Sequence, residues 1–297
     1  MKKREMGLGI KKAVVSAMMA VLLMQSLGEA AGGVTAAEAA QAAVVKTERS
    51  LYKGTETAGP AEPRATSKAE KEEVPGRLIQ RRYEAYYRLN NGKKAKKKFI
   101  TINDKTYYFD RKGKMYHGWL KKGKKYHYMD RETGVMVYHG KVDGIRIKKG
   151  CAVKTKLNCR KIETMRTASR IVRRITKPSD SIEKKRMKCY KYIIKFPYRR
   201  YRLLKTRYKK KGWESTFAND IFKHHAGCCV STASALAFMF HEIGYKKVYV
   251  AFDTSHAWVE LNGKVYDSLF SEAKDFWKYY GGTYKSCRLH RVGRRKI

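Results

Sequence analysis

An α+β fold is predicted for the C-terminal half of this 297-residue chain, preceded by a small solenoid of β-hairpins. Three observations predict it. Residues 230–243, VSTASALAFMFHEI, lack Gly and Pro, and Leu236, Phe240 and Ile243 recur at i, i+4 and i+7, the apolar stripe of a helix. Strand-like runs follow at 246–252, 257–261 and 264–269, the last two joined by Asn262-Gly263, a strong hairpin signal. Upstream, short aromatic segments of one texture recur, with Asp110 and Asp130 marking the same place in successive copies.

The chain begins with Lys2, Lys3, Arg4, Lys11 and Lys12, an apolar run from Ala13 to Leu27, and small residues to about Ala42. This is the pattern of a secretory signal peptide, expected over 1–40 with cleavage between Ala31 and Ala42. The apolar run is short of the roughly 20 residues that span a bilayer, so no transmembrane segment is expected once the leader is removed. Residues 41–90 are rich in Pro, Gly, Ser, Thr, Glu and Lys with little apolar periodicity and read as a flexible linker. Within it, Arg77–Leu89 reads as a short basic helix or a continuation of the linker.

Residues 91–150 change texture. The first copy reads INDKTYYFD over 102–110, then Gly113, Met115 and Gly118-Trp119. The second reads KKYHYMD over 124–130, then Gly134, Met136 and Gly140. Each unit is an aromatic hairpin too small to bury its own face, so the units must stack. They resemble the choline-binding-type cell-wall repeats of Gram-positive surface proteins. That resemblance implies wall or choline binding by an aromatic cage, with Tyr107, Tyr108, Trp119, Tyr126 and Tyr128 as candidates. Lys141 stands where a second Trp would be. The alternative is that the tyrosines serve to stack the hairpins.

From 160 onward the pattern turns helical. Ile162, Met165, Ala168, Ile171 and Val172 keep one stripe; Tyr190, Ile193 and Ile194 continue it after Pro178; Phe217, Ile221 and Phe222 mark a helix leading to Gly227. Cys229 then opens the helix of residues 230–243, where free N–H groups and the dipole favour a thiolate and are able to hold an oxyanion. His256 precedes the second strand-like run, and Asp267 lies in the third, where pairing across Asn262-Gly263 brings it near His256. Trp258 shares a face with His256 and is a candidate for covering the site. The other reading of the thiol is packing. A metal reading of His224, His225, Cys228 and Cys229 is disfavoured, since adjacent ligands do not converge on one ion; no metal or cofactor is expected.

These motifs, Gly227-Cys228-Cys229, His256-Ala257-Trp258-Val259-Glu260 and Asp267, resemble the transglutaminase-like superfamily over roughly residues 160–297. The resemblance implies a papain-like core with the nucleophile at a helix N-terminus packed on an antiparallel sheet. It further implies Cys229 as nucleophile, His256 as base, Asp267 as its orienting partner and Trp213 on the oxyanion side. Cys228, between the family glycine and the nucleophile, is a second thiol at the site.

Lys and Arg number 68 against 26 Asp and Glu, a formal charge of +42. Spread over every segment of an exported chain, this charge points to cell-wall polymers or other polyanionic envelope components rather than to specific nucleic-acid binding. Six cysteines do not make a disulfide scaffold, though Cys151 and Cys159 are close enough in sequence to close a small loop. The expectation is an exported, surface-retained cysteine acyl-transfer enzyme acting on amide or peptide bonds of a protein or peptide substrate. The alternative is a catalytically inert surface protein that binds wall polyanions and keeps the thiol fold as a scaffold.

Overall fold

The computed structural model describes residues 75–202 and 210–297, which belong to one compact unit. The leader expected over 1–40, and the linker up to residue 74, lie outside the described residues.

The first half is a row of hairpins: β1 (Gly76–Arg81) with β2 (Glu84–Leu89), β3 (Lys98–Ile102) with β4 (Lys105–Phe109), and β5 (Gly118–Lys122) with β6 (Lys125–Met129). A last unit pairs β7 (Gly140–Val142), β8 (Ile145–Lys148) and β9 (Cys151–Ala152). All are antiparallel and closed by two-residue turns. At Asn103-Asp104 both central residues have positive φ, 46° and 60°, the turn whose twist matches the strands it joins. The first hairpin corrects the reading of 77–89 as helix or linker. Leu78 and Tyr87 pair on the face that joins the stack and Ile79 and Tyr86 pair on the other, so apolar residues on both faces leave no clean period of two in the sequence.

Successive hairpins are tied by equivalent residues. The Met115 amide donates to Ala85 O at 2.7 Å, and the Met136 amide donates to Thr106 O at 2.7 Å, each reaching back to the preceding hairpin. Asp110 and Asp130 turn the chain in the same way, accepting from the amides of Lys112 and Lys114 and of Glu132 and Thr133. Between the layers lie Tyr87, Ala95, Ile100 and Phe109, then Tyr108, Leu120 and Met129.

The second half begins with α1 (Lys156–Ile175), capped by the Thr155 hydroxyl, and α2 (Ile182–Ile193), capped by Ser181. The expected stripe of α1, Ile162, Met165, Ala168, Ile171 and Val172, is buried. Two more helices follow, α3 (Trp213–His224) and α4 (Cys229–Glu242). Every residue of α4 from Cys229 to Phe240 is buried, because α1 and α3 cover one side and a sheet the other. A helix apolar all round is a central one. Its entry depends on Gly227: a Cβ there would lie 2.4 Å from the Ser231 Cβ, so no other residue fits without displacing the helix.

The sheet is antiparallel. It comprises β10 (Val248–Phe252), β11 (Ala257–Leu261), β12 (Lys264–Tyr266), β13 (Tyr280–Gly282) and β14 (Gly293–Lys296), in the order β13-β12-β11-β10-β14. The Asn262-Gly263 hairpin forms as expected, with φ of 51° and 74°. The third strand is shorter than expected: Asp267 leaves it to cap α5 (Ser268–Ala273), and α6 (Phe276–Tyr279) and α7 (Tyr284–Cys287) follow. Helices preceding an antiparallel sheet are the α+β part of the expectation.

No packing boundary separates the halves near residue 155. Trp119, Tyr126, Tyr128, Ile145 and Ile147 share one hydrophobic core with α1, α3 and α4. Arg131, from the loop after β6, donates to the carbonyls of His241 and Glu242 at 2.9 Å each and pairs with the Glu242 carboxylate at 2.7 Å. A cation is favoured at that negative end of α4.

Candidate thiol site

Cys228 is the N-cap of α4 and Cys229 its first helical residue, so the two thiols enter the site from one turn. Both are buried, at 2% and 3% exposure. Cys228 Sγ lies 3.6 Å from Ser231 Oγ, which donates to Asp220 Oδ2 at 2.8 Å; Arg202 pairs with the other Asp220 oxygen. A hydrogen bond from the neighbouring thiol outweighs burial and, with the Ser231 and Val230 amides at the helix start, pulls the Cys228 thiol down to about 6. Cys229 moves the opposite way, because it donates to Cys228, is buried and faces its negative charge. Both shifts run in the direction that leaves the shared proton on Cys229. Cys229 accepts from the Val230 and Ala257 amides, which sets its sulfur against the first residue of β11.

His256 stands immediately before that residue. Its Nε2–H donates to Asp267 Oδ2 at 2.6 Å, and its ring stacks on Phe270 at 4.2 Å and 14°. The other Asp267 oxygen accepts from the Leu269 and Phe270 amides, so the carboxylate, 1% exposed, is fixed from both sides. The structure thus brings His256 and Asp267 together. Cys229 lies beside the same strand, but no hydrogen bond joins either thiol to the imidazole among the described residues.

The other site candidates fall into the core. Trp258 is fully buried with Ala251, Val265 and Tyr279, and its Nε1–H donates to Tyr284 Oη at 3.3 Å. Its ring, 6.1 Å from the imidazole, backs the site instead of covering it. Trp213 meets Phe217 and Phe252 edge-on, 3% exposed. His224 and His225 are exposed at the end of α3 while the thiols are buried, and among the described residues no cluster of three or more His, Cys, Asp or Glu is arranged to hold a metal. All six cysteines are free, Cys151 and Cys159 included. Sequence reasoning missed Phe270 and the Ser231–Asp220–Arg202 relay. Nothing in the spacing of 267–270 marks a ring stacked on a histidine, and Arg202 is one of 68 basic residues.

The structure places most of the wall-binding candidates in the interior. Tyr108, Trp119, Tyr126 and Tyr128 are 8%, 3%, 7% and 7% exposed, and Tyr107 is half-buried. Trp119 donates to Asp143 at 2.8 Å and meets Tyr128 edge-on; Tyr126 donates to Glu163 of α1 at 2.7 Å. The chain's own cations lie over several ring faces: Lys122 over Tyr108 at 5.6 Å, Lys121 over Tyr126 at 5.5 Å and Arg173 over Tyr116 at 5.0 Å. Trp119, Tyr126 and Tyr128 pack in one core with the helices, whereas Tyr107 and Tyr108 pack between hairpins.

Residues 97–140 match the family model of the choline-binding repeat, and the hairpin stack is of that type. No curated protein matches the chain. Among solved structures, the chain is similar to the choline-binding domain of Spr1274 from Streptococcus pneumoniae, at 22% identity over 29% of this chain and 100% of that one, with a TM-score of 0.24. It is also similar to the cell-wall endolysin of phage Cp-1 complexed with choline, at 26% identity over 30% of this chain and 28% of the endolysin, with a TM-score of 0.25. Choline-binding protein F of Streptococcus pneumoniae is 26% identical over 27% of this chain and 28% of its own, with a TM-score of 0.24.

Proposed function

We propose that this protein is held at the cell surface through its choline-binding-type repeats and binds anionic wall polymers. The observation that carries this reading is the family match over residues 97–140. The formal charge of +42 supplies the attraction to phosphate-rich polymers, and no helix among the described residues is long and apolar enough to cross a membrane. Because four of the five candidate aromatics are buried, and the chain's own lysines lie over Tyr108 and Tyr126, this reading takes retention to be ionic more than cage-like. Purified protein bound to isolated Gram-positive walls is expected to elute as salt rises and to stay bound in choline at low salt. Elution by choline with indifference to salt would reverse that reading, and failure to bind walls would reject it.

A second activity is favoured by the 2.6 Å His256–Asp267 contact beside a thiol at a helix start. In this reading the domain is a thiol acyl-transfer centre of transglutaminase-like type, a kinship resting on the sequence motifs alone. Asp267 holds His256 by Nε2, which leaves Nδ1 for the thiol proton. The Cys229 sulfur attacks a carboxamide carbonyl, the amine leaves with the proton returned by His256, and water or an amine resolves the thioester. Cys229→Ser and His256→Ala are each expected to abolish release of ammonia or amine from peptide amides. Wall binding that survives both substitutions, with no turnover in the unaltered protein, would leave the domain as a scaffold, the outcome toward which the burial of both thiols points.

A further inference from the structure

A cleft of about 260 Å³ opens between α1, α2 and the end of α3, lined by Thr167, Arg170, Ile171, Arg174, Tyr192, Phe222 and His225. Its floor is apolar, since Ile171 and Phe222 are each 8% exposed. Its rim is cationic. Arg170 and Arg174 sit one helical turn apart on the same face of α1, where like charges repel, and neither takes part in an ion pair among the described residues. Among the other cations of these helices, Arg166 pairs with Glu163, and Lys184 and Lys188 pair with Asp180. Two arginines one turn apart at the mouth of a cavity, with no carboxylate paired to either among the described residues, give it a local excess of positive charge.

The remaining groups complete it. His225 ends α3 in the left-handed region, φ 55°, and its ring is stacked on Phe196 at 5.5 Å and 12°, so the imidazole has a fixed orientation. Tyr192 meets Phe196 edge-on at 5.1 Å, and its hydroxyl accepts from Arg174 at 3.4 Å, which leaves its own proton to donate. Guanidinium forks match the oxygen geometry of phosphate, and a tyrosine hydroxyl and an imidazole add donors. The cavity suits one phosphate group with a short linker.

We infer that this cleft is a phosphate subsite for a polyol-phosphate chain of the cell envelope, held by Arg170, Arg174, His225 and Tyr192. The inference rests on the reading of the protein as a wall-polyanion binder and gives that reading a location. The rest of the positive surface draws the polymer in, and the cleft takes one of its phosphates.

The test is calorimetric titration of the purified full-length chain with synthetic poly(glycerol phosphate) at several salt concentrations. The variant Arg170→Gln/Arg174→Gln is expected to bind about 10-fold more weakly, with its salt slope reduced by roughly 0.7, the loss of one phosphate contact on a flexible strand. Arg170→Lys/Arg174→Lys keeps the charge without the forks and is expected to lose about 3-fold or more. Lys124→Gln/Lys125→Gln removes equal charge at an exposed hairpin tip and is expected to lose less than about 2-fold. Circular dichroism confirms that each variant folds. Equal losses in the Arg→Gln and Lys124/Lys125 variants, or no loss in the former, would overturn the subsite while leaving wall binding intact. Oligothymidylate of equal charge is expected to bind without dependence on Arg170 and Arg174; the same dependence would overturn the polyol-phosphate assignment. A wild-type chain that binds no polymer would overturn both the subsite and the function it rests on.

Discussion

The hairpin stack and the helix–sheet half bury different kinds of side chain. Inside the stack lie rings and aliphatic chains, Phe109, Met129, Ile100 and Trp119, whose few polar atoms are satisfied by neighbours. Inside the other half lie groups that are costly to bury: His256 and Asp267, Asp220 with Ser231, Glu260 with Arg291 and Arg294, and two thiols. Burial of rings needs no further reason than the apolar area removed from water, ~25 cal/mol for each Å². Burial of a hydrogen-bonded carboxylate and imidazole beside a thiol does need one, and that asymmetry locates candidate chemistry in the second half. The residues between the halves, Trp119, Asp143, His241 and Arg131, belong to both, so the comparison breaks first at that seam.

Trp119→Ala is expected to have the largest effect, about 3–5 kcal/mol lost on removing a large ring from a packed core. Because Trp119 shares a core with α1 and α4, denaturant unfolding followed by tryptophan fluorescence and by circular dichroism is expected to show one transition. Two separated transitions would show the stack and the helices to be independent.

Asp143→Asn comes next. Burial opposes the charged form of Asp143, but hydrogen bonds from His241 and Trp119 with their attraction outweigh it and hold the carboxyl at about 2, against an ordinary value of 3.8. A lowered folded pKa stabilises the protein above the ordinary value and ceases to do so as pH falls through about 2. The difference corresponds to about 2 kcal/mol at neutral pH. The variant is expected to lose that amount at pH 7, with a gap from the wild type that closes as the pH approaches 2. A gap independent of pH would place the effect in packing instead of charge.

The thiol pair sharpens the comparison without large energies. Labelling by a small uncharged disulfide is expected to rise with a midpoint near 6 in the wild type and to lose that step in Cys228→Ala. Loss of the step in Cys229→Ala alone would move the thiolate to the other sulfur. The smallest effect is expected for Tyr126→Phe, which removes one partly buried hydroxyl from Glu163 at a cost of about 1 kcal/mol in unfolding free energy.

Much of this was legible in the sequence, for reasons specific to each part. The helix at 229–242 and the Asn262-Gly263 hairpin are dictated locally, by an uninterrupted apolar run and by two residues that tolerate positive φ. The His256–Asp267 pairing follows from the register of that hairpin. The strand at 293–296 reads as GRRK and owes its place to pairing with β10, which no local pattern announces. The first hairpin was hidden because its apolar residues come as adjacent pairs, Leu78-Ile79 and Tyr86-Tyr87, and so fall on both faces. The aromatic candidates of the repeats were legible as residues but not as roles. A periodic tyrosine signals that something recurs, and the period alone does not distinguish a ring that packs from a ring that binds.

The central claim is that the repeat aromatics are structural, so that Trp119 is committed to Asp143 and is not a ligand cage. It is tested most directly by the indole Nε1–H resonance of Trp119 in ¹⁵N-labelled protein during titration with choline. A resonance that resists hydrogen exchange, stays unmoved as choline reaches saturating concentration and shifts in Asp143→Asn is the expected result. A choline-dependent shift of that resonance that saturates in the unaltered protein would contradict it.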